Sequence, residues 1–256
     1  MDVKTYLERI GYQGPLSTDA DTLRGLHVAH MTAVPFENLS IHAGEPVVLE
    51  DAALFGKIVG RRRGGFCYEN NGLFAALLRA LGFEVSMLSA EVANSEGGFG
   101  RPFDHMTLLV TLEERRLADV GFGDSFVEPL LLDERGEQAQ GRHAYRVAPE
   151  GDYRVMSRRD EGGGEWKAQY RFTLRPHVYA DFAEMCRYHQ TSPQSHFTRG
   201  RVCSRATEAG GRVTLSGMRF IETDAGGVRR ERVLADEGEY AAALREHFGV
   251  EIFSVG

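Results

Sequence analysis

The segment from Arg63 to Asn71 constrains this chain most, because it places a cysteine where a glycine-rich turn enters a helix. Apolar residues follow Cys67 at spacings of three and four, and Gly82 stands where such a helix ends. A thiol in the first helical turn faces unpaired backbone N–H groups and the positive end of the helix dipole, and both favour the thiolate. The competing interpretation is that a lone cysteine serves as a small buried apolar residue.

Composition limits the classes of protein that the chain can belong to. Its 256 residues can form one large domain or two to three small ones, with 42% hydrophobic and 26% charged residues. No run of about 18 apolar residues predicts a transmembrane helix, and the residues from Met1 to Arg9 have no apolar signal-peptide core. A net charge of −7 offers no general basic face for nucleic acid.

Cysteine usage bears on compartment and on metal binding. Three cysteines, an odd number at unrelated spacings, argue against a disulfide framework and for a reducing compartment, so we expect a cytoplasmic protein. Neither a CxxC nor an HExxH motif is present, and no metal site is expected.

The hydrophobic period changes along the chain from that of helices to that of strands. Helices are predicted at Lys4–Ile10, from Ser17–Asp19 towards Ala33, at Leu49–Val59 and after Cys67, and strands are predicted from about Glu84, at 85–90, 106–112, 117–120, 145–147, 153–156 and 169–174. A helix around 179–188, two hairpins between 201 and 233 and a helix at 237–248 follow, with a glycine-rich loop at 161–164. Helices followed by strands indicate an α+β fold with a mostly antiparallel sheet.

A cysteine nucleophile needs a base, and the base needs a third group that fixes its tautomer. Among nine histidines, His105 is the best placed, immediately before an apolar strand. Asp104, Asp119 and Asp124 are the local candidates for the third group. Asp104 should point to the opposite face from His105. Asp119 ends the return strand, but a simple turn sets it opposite 108–110, so we expect a bulge or sharp twist to bring it to His105. A strand-end histidine and a turn-capping aspartate remain the alternative.

The tripeptide Gly121-Phe122-Gly123 follows Asp119 directly. Two glycines around an aromatic residue give a tight bend whose backbone can approach a ligand, with Phe122 as an apolar wall, although such a tripeptide is commonly only a turn.

Several motifs in order resemble the arylamine N-acetyltransferase family, with a length that suits its bacterial type. They are Val34-Pro35-Phe36-Glu37-Asn38-Leu39, the RGGFC segment with Glu69 and Asn71, His105-Met106, Asp119-Val120-Gly121-Phe122-Gly123, and Gln190-Thr191-Ser192-Pro193 with Phe197.

The resemblance implies a papain-like Cys-His-Asp core made of Cys67, His105 and Asp119. It implies a helical bundle over residues 1–83, an antiparallel β-barrel over 84–190 and an α/β lid over 191–256. It further implies residues that line the aryl pocket, namely Phe36, Val92, Phe122 and Phe197, and residues near acetyl-CoA, namely Gly121, Gly123, Tyr188 and Gln194.

The reaction implied is a ping-pong acetyl transfer from acetyl-CoA, through a Cys67 thioester, to arylamines, arylhydrazines or N-hydroxyarylamines. Acetyl-CoA and a small aromatic amine or hydrazine are the expected partners, and no membrane partner is expected. Two departures leave the acceptor preference open: Asp104 precedes the histidine, where relatives often carry threonine or valine, and the sequence ends at Gly256 without the tail of vertebrate members. A biosynthetic amide synthase acting on a carrier-bound thioester, a cysteine protease or transglutaminase-like enzyme, and a non-catalytic binding module are the alternatives.

Overall fold

The N-terminal third folds as helices whose ends follow the capping residues in the sequence. The structure, a computed structural model, describes residues 1–160 and 163–251. The side chains of Asp2 and Asp19 accept hydrogen bonds from first-turn N–H groups of α1 and α2, and Gly11 ends α1 with a φ of 69°. The helices of this region are α1 (Val3–Ile10), α2 (Ala20–Ala33), α3 (Leu39–His42), α4 (Asp51–Phe55) and α5 (Cys67–Ala80).

One predicted helix differs in form. The stretch 49–59 is not a single α-helix, because α4 passes into a π-helical turn at Gly56–Gly60.

Helix α5 also differs from expectation, since every residue from Cys67 to Leu78 is buried, polar ones included, where the sequence predicted an amphipathic helix. Its buried polar side chains must therefore find partners inside the protein.

Eight antiparallel strands form a sheet that nearly closes into a barrel. Its spatial order is β5-β4-β3-β2-β9-β8-β7-β6. The strands are β2 (Glu84–Val92), β3 (His105–Thr111), β4 (Arg116–Ala118), β5 (Leu130–Leu131), β6 (Gln138–Gln140), β7 (His143–Glu150), β8 (Tyr153–Asp160) and β9 (Lys167–His177). The side-chain amide of Gln138 accepts from the N–H of Leu131 at 2.7 Å and donates to its carbonyl at 2.9 Å. This side chain thus links the two edge strands, β5 and β6.

The C-terminal part contains a second, five-stranded antiparallel sheet in the order β1-β10-β11-β12-β13. Its strands are β1 (Phe36–Glu37), β10 (Val202–Ala206), β11 (Arg212–Ser216), β12 (Arg219–Thr223) and β13 (Arg229–Val233), and the helices here are α6 (Tyr179–Thr191), α7 (His196–Arg199) and α8 (Glu237–Phe248). Strand β1 comes from the helical region and pairs with β10, with Phe36 opposite Ser204. The mixed helix and antiparallel-sheet fold predicted from the sequence is confirmed.

The predicted domain boundaries after residues 83 and 190 stay a prediction. Two predicted regions extend beyond the described residues: the glycine-rich loop at 161–164 includes 161–162, and the lid includes 252–256. Within the described ranges, each helix is too short or too polar to serve as a transmembrane span.

The main hydrophobic core surrounds α5. Leu73, Phe74 and Leu77 of this helix are fully buried and pack with residues of α1, α2 and β3. A helix enclosed in this way cannot shift without opening the core, so the position of its first residue, Cys67, is fixed by packing.

Candidate active site

A buried ion pair holds the glycine-rich turn in front of α5. Arg63 Nε lies 2.9 Å from Glu37 Oε1, and the N–H of Gly64 donates to the same oxygen at 3.3 Å. The other carboxylate oxygen accepts from the N–H of Leu39 at 2.7 Å. Burial acts to raise the pKa of Glu37, but the charges of Lys57 and Arg63 outweigh it and leave that pKa below its ordinary value. Glu37 is therefore ionised and fully hydrogen-bonded.

A second buried pair fixes the turn from the helix side. Lys57 Nζ lies 2.7 Å from Glu69 Oε1, and Glu69 Oε2 accepts from the N–H of Phe66 at 3.2 Å. The side chain of Asn70 donates to the carbonyl of Gly65 at 2.9 Å. These bonds tie the first turn of α5 to the residues that precede it, and so they set Cys67 at the start of the helix.

The sulfur of Cys67 is enclosed. Burial raises the pKa of the Cys67 thiol well above its ordinary value, while the backbone N–H of Met106 acts to lower it and the charges of Asp119 and Asp104 raise it further. The helix N-terminus alone is therefore not sufficient to make a thiolate here. A thiolate at Cys67 requires a neighbouring group that takes the proton.

His105 and Asp119 form a buried pair, with Nε2 of the ring 2.6 Å from Oδ2 of the carboxylate. The expected bulge is not needed, because the β3–β4 register runs without a shift from Val110–Arg116 to Leu108–Ala118. Continued by one residue, this register sets Asp119 opposite Thr107, two residues from His105 on the same face. Diagonal neighbours of this kind are within side-chain reach.

Several hydrogen bonds hold the carboxylate of Asp119. Its Oδ1 accepts from the side-chain amide of Asn71 at 2.8 Å and from the N–H of Gly121 at 3.0 Å. Burial acts to raise the pKa of Asp119, but the charge of His105 and these hydrogen bonds outweigh it, so the pKa lies below its ordinary value. Because an ionised carboxylate only accepts, Nε2 of His105 carries a proton, and Nδ1 is the nitrogen left to accept another.

His27 supports Asp119 from behind. Its Nε2 accepts from the backbone N–H of Asp119 at 3.0 Å, and its Nδ1 lies 2.6 Å from the carbonyl of Val127. These two bonds specify a neutral ring protonated at Nδ1. Burial lowers the pKa of His27 to about 4, which agrees with a neutral ring at pH 7.

A cavity of about 480 Å³ opens onto the nucleophile and the base. This volume lies in the range of small-molecule sites. Its lining includes Cys67, His105 and Gly121, together with all four residues predicted for the aryl pocket: Phe36, Val92, Phe122 and Phe197. The ring of Phe122 meets the ring of His105 edge-on, with centroids 5.1 Å apart. A β-carbon added at Gly121 would lie 2.8 Å from Cα of Cys67, so only glycine lets the two backbones approach this closely.

The other predicted residues lie outside this cavity's lining. Asp119 is buried behind His105. Gly123 packs against the ring of Phe36, Gln194 is exposed, and the ring of Tyr188 lies 4.8 Å from the guanidinium of Arg101.

The sequence predicts no role in the site for two supporting residues, although Asn71 stands in one of the family motifs. Asn71 lies one helical turn after Cys67 on α5, so the spacing alone could have suggested that it faces the same site. His27 lies on α2, early in the chain, and nothing in the sequence links it to Asp119. Among residues 1–160 and 163–251, no three His, Cys, Asp or Glu side chains are close enough together to hold a metal ion.

Comparison with known proteins gives a consistent result over nearly the whole chain. The sequence profile of a family described as N-acetyltransferase matches residues 19–254. The chain is 34% identical over 249 residues to an arylamine N-acetyltransferase of Escherichia coli, covering 96% of this chain and 88% of the relative. It is 35% identical over 259 residues to an arylamine N-acetyltransferase of Mycolicibacterium smegmatis, covering 98% and 93%.

Solved structures agree with the sequence comparisons. The fold matches arylamine N-acetyltransferase of Mycobacterium marinum with a TM-score of 0.91 and 33% identity, covering 100% of this chain and 95% of that one. It matches the complex of the Mycobacterium marinum enzyme with CoA with a TM-score of 0.89 and 34% identity, covering 97% and 93%.

Proposed function

This chain belongs to the arylamine N-acetyltransferase family, and on that premise we propose that it transfers an acetyl group from acetyl-CoA to arylamines, arylhydrazines or N-hydroxyarylamines. The observation that carries the proposal is that Cys67 and His105 line one cavity, with Asp119 held against the ring 2.6 Å away. This is the arrangement of a nucleophile, a base and a group that orients the base.

In the first half-reaction, Nδ1 of His105 takes the proton of Cys67 and the sulfur attacks the thioester carbonyl of acetyl-CoA. A bond forms between Cys67 Sγ and the acetyl carbon, the bond from that carbon to the CoA sulfur breaks, and CoA leaves as a thiol with the proton from His105. Transfer of the proton to His105 offsets the burial that raises the pKa of Cys67. The backbone N–H of Cys67 and a neighbouring amide are proposed to stabilise the oxyanion.

In the second half-reaction, the amine nitrogen attacks the acetyl-Cys67 carbonyl and the bond from sulfur to carbon breaks. His105 takes the proton that the nitrogen loses and returns one to Cys67. Asp119 stays ionised and keeps the ring oriented throughout, because its pKa is lowered by the groups that surround it.

The proposed aryl contacts are supported by the cavity lining, and the other proposed contacts, apart from Gly121, rest on the family resemblance alone. Phe36, Val92, Phe122 and Phe197 are proposed to enclose the aryl ring. Gly121 and Gly123 are proposed to let the acyl donor approach the backbone, and Tyr188 and Gln194 are proposed as outer CoA contacts.

A cytoplasmic location is part of the proposal. It is supported by the cysteines at 67, 186 and 203, all of which are free and buried.

The test is an assay of acetyl-CoA with 5-aminosalicylate, 4-anisidine or isoniazid, in which a thiol reagent follows release of CoA. Release that depends on the amine and is lost in Cys67→Ser supports the acetyltransferase. If Cys67 is alkylated readily but no amine or hydrazide consumes acetyl-CoA, the function is instead that of an amide synthase acting on a carrier-bound thioester.

A further inference from the structure

Asp104 places a carboxylate in the wall of the catalytic cavity. It is the one acidic residue in that lining, and its side chain is 22% exposed. Two hydrogen bonds hold the backbone of Asp104 in place. Its N–H donates to the carbonyl of Arg101 at 3.1 Å, and Tyr68 Oη donates to the carbonyl of Asp104 at 3.3 Å. The backbone that carries this carboxylate is therefore held in position next to the base, His105.

Within residues 1–160 and 163–251, no lysine or arginine forms an ion pair with this carboxylate. In the part of the chain that the structure describes, its only ion-pair contact is with Nε2 of His189, 3.2 Å from Oδ1, and that nitrogen lacks hydrogen-bond geometry to any partner. The other carboxylate oxygen lies against the backbone of Gly100, where an added β-carbon would be 2.6 Å away.

The remaining charged or titratable groups of the lining do not offset it. Arg201 is engaged by Glu237 through two bonds of 2.7 and 2.8 Å. Desolvation and the charges of His189 and Arg199 lower the pKa of His196 below its ordinary value of 6.5, so the ring is mainly uncharged at pH 7. When the acceptor enters, Cys67 is acetylated and uncharged, and His105 has given its proton to CoA. A molecule that enters the cavity therefore meets the negative charge of Asp104. The same charge acts on the nucleophile, since it raises the pKa of Cys67.

We propose that Asp104 determines acceptor specificity: it favours aromatic amines that carry a second, cationic group and disfavours those that carry a carboxylate. The inference rests on the proposed function and concerns its acceptor half-reaction. In a site that is partly shielded from water, a nearby unit charge attracts a ligand group of opposite charge and so raises the affinity for that ligand. The same charge repels a ligand group of like charge and lowers the affinity for it.

Three acceptors of one shape test this: 4-aminobenzamidine, 4-aminobenzamide and 4-aminobenzoate. They differ in charge at the position opposite the amine, and an amidinium withdraws more electron density from the ring than a carboxylate. Reactivity alone would thus favour 4-aminobenzoate. We expect the wild-type kcat/KM to fall in the order amidine, amide, carboxylate.

Asp104→Asn keeps the shape and removes the charge, and Asp104→Thr is a second uncharged variant in case the first does not fold. In a ping-pong reaction, the ratio of kcat/KM for two acceptors cancels the acylation step and the active fraction. We expect the amidine-to-carboxylate ratio to fall at least about tenfold in either variant, equivalent to about 1.4 kcal/mol.

A wild-type preference for 4-aminobenzoate, or a ratio unchanged by both substitutions, would overturn the role of Asp104 while leaving the acetyltransferase intact. Failure of the wild type to acetylate both neutral acceptors, 4-aminobenzamide and 4-anisidine, would instead defeat the proposed function, and the specificity proposal would fall with it.

Discussion

Asp119 reaches His105 diagonally across the β3–β4 hairpin, with 2.6 Å between Oδ2 and Nε2, although the strand register pairs Ala118 with Leu108. The same carboxylate is bonded to Asn71 on α5, so one side chain joins the helix that carries the nucleophile to the strand that carries the base. Asn71 also donates to the carbonyl of Met106 on β3 at 2.6 Å, so the carboxylate and this amide together join the helix to the strand.

Replacing that anion tests its orienting role. Asp119→Asn keeps the shape of the side chain but can present an N–H to Nε2 of His105, which favours the wrong tautomer. We expect turnover to fall by about 10⁴, the loss known for this change in a catalytic triad. Steady-state kinetics with one donor and one amine measure it. The same chemical change at an exposed acid, Asp133→Asn, should leave turnover within twofold, and equal effects at both positions would contradict the role given to Asp119.

The second prediction concerns how Cys67 loses its proton. Because burial raises the pKa of Cys67, its thiolate depends on proton transfer to His105. We expect iodoacetamide to modify wild-type Cys67 at mildly acid pH and acetyl-CoA to protect it. In His105→Gln, we expect modification only at alkaline pH. Burial raises the pKa of Cys186 to about 12 and also raises that of Cys203, so both should be spared. The measurement is the alkylation of Cys67 as a function of pH, with the modified cysteine identified by peptide mass. The same pH dependence in the wild type and in His105→Gln would refute this prediction.

Much of this site could be predicted from the sequence because its parts are local. The turn before Cys67, the glycine that ends α5 and the apolar run of β3 each fall within a few residues. The contact between β1 and β10 could not be predicted, because a two-residue strand has no readable period and its partner lies more than 160 residues away. The hydrogen bond between His27 and Asp119 could not be predicted for the same reason, since no sequence pattern links a histidine on a helix to a partner far along the chain.

The complete burial of α5 could not be predicted from the sequence either. Glu69, Asn70 and Asn71 predict a polar, solvent-exposed side, yet all three are buried. Their hydrogen bonds to Lys57, Gly65 and Asp119 replace those to water, and only the folded chain brings these partners together.

A third prediction follows from the neutral ring of His27. Its pKa is about 4 in the folded protein and 6.5 ordinarily, so between these values the unfolded chain binds the additional proton. The free energy of unfolding should therefore fall as the pH drops from 6.5 to 4, with His27 contributing about 3 kcal/mol over the full interval. His27→Gln does not titrate and should remove this part of the decline. Urea unfolding at successive pH values measures it. Parallel curves for the two proteins would rule out a neutral His27 as the source.

The fourth prediction concerns the buried ion pair before the nucleophile. Glu37→Gln removes the closer counter-charge of the buried Arg63 guanidinium and leaves only Glu45, 4.0 Å away, so we expect a loss of about 3–5 kcal/mol in the free energy of unfolding. The matched change in an exposed pair, Asp133→Asn opposite Arg115, should cost no more than about 1 kcal/mol. Urea denaturation of both variants gives the comparison. A cost at Glu37 no greater than at Asp133 would show that the pair does not hold the turn.

The central claim is that acetyl passes through Cys67, and intact-mass measurement after mixing with acetyl-CoA alone tests it most directly. We predict a gain of one acetyl group, located at Cys67 by peptide mass, absent in Cys67→Ser, and removed when 4-anisidine is added, with N-acetyl-4-anisidine formed in equal amount. Acetylation of the amine by Cys67→Ser at the wild-type rate, or an acetyl group that stays on Cys67 when the amine is added, would contradict the account.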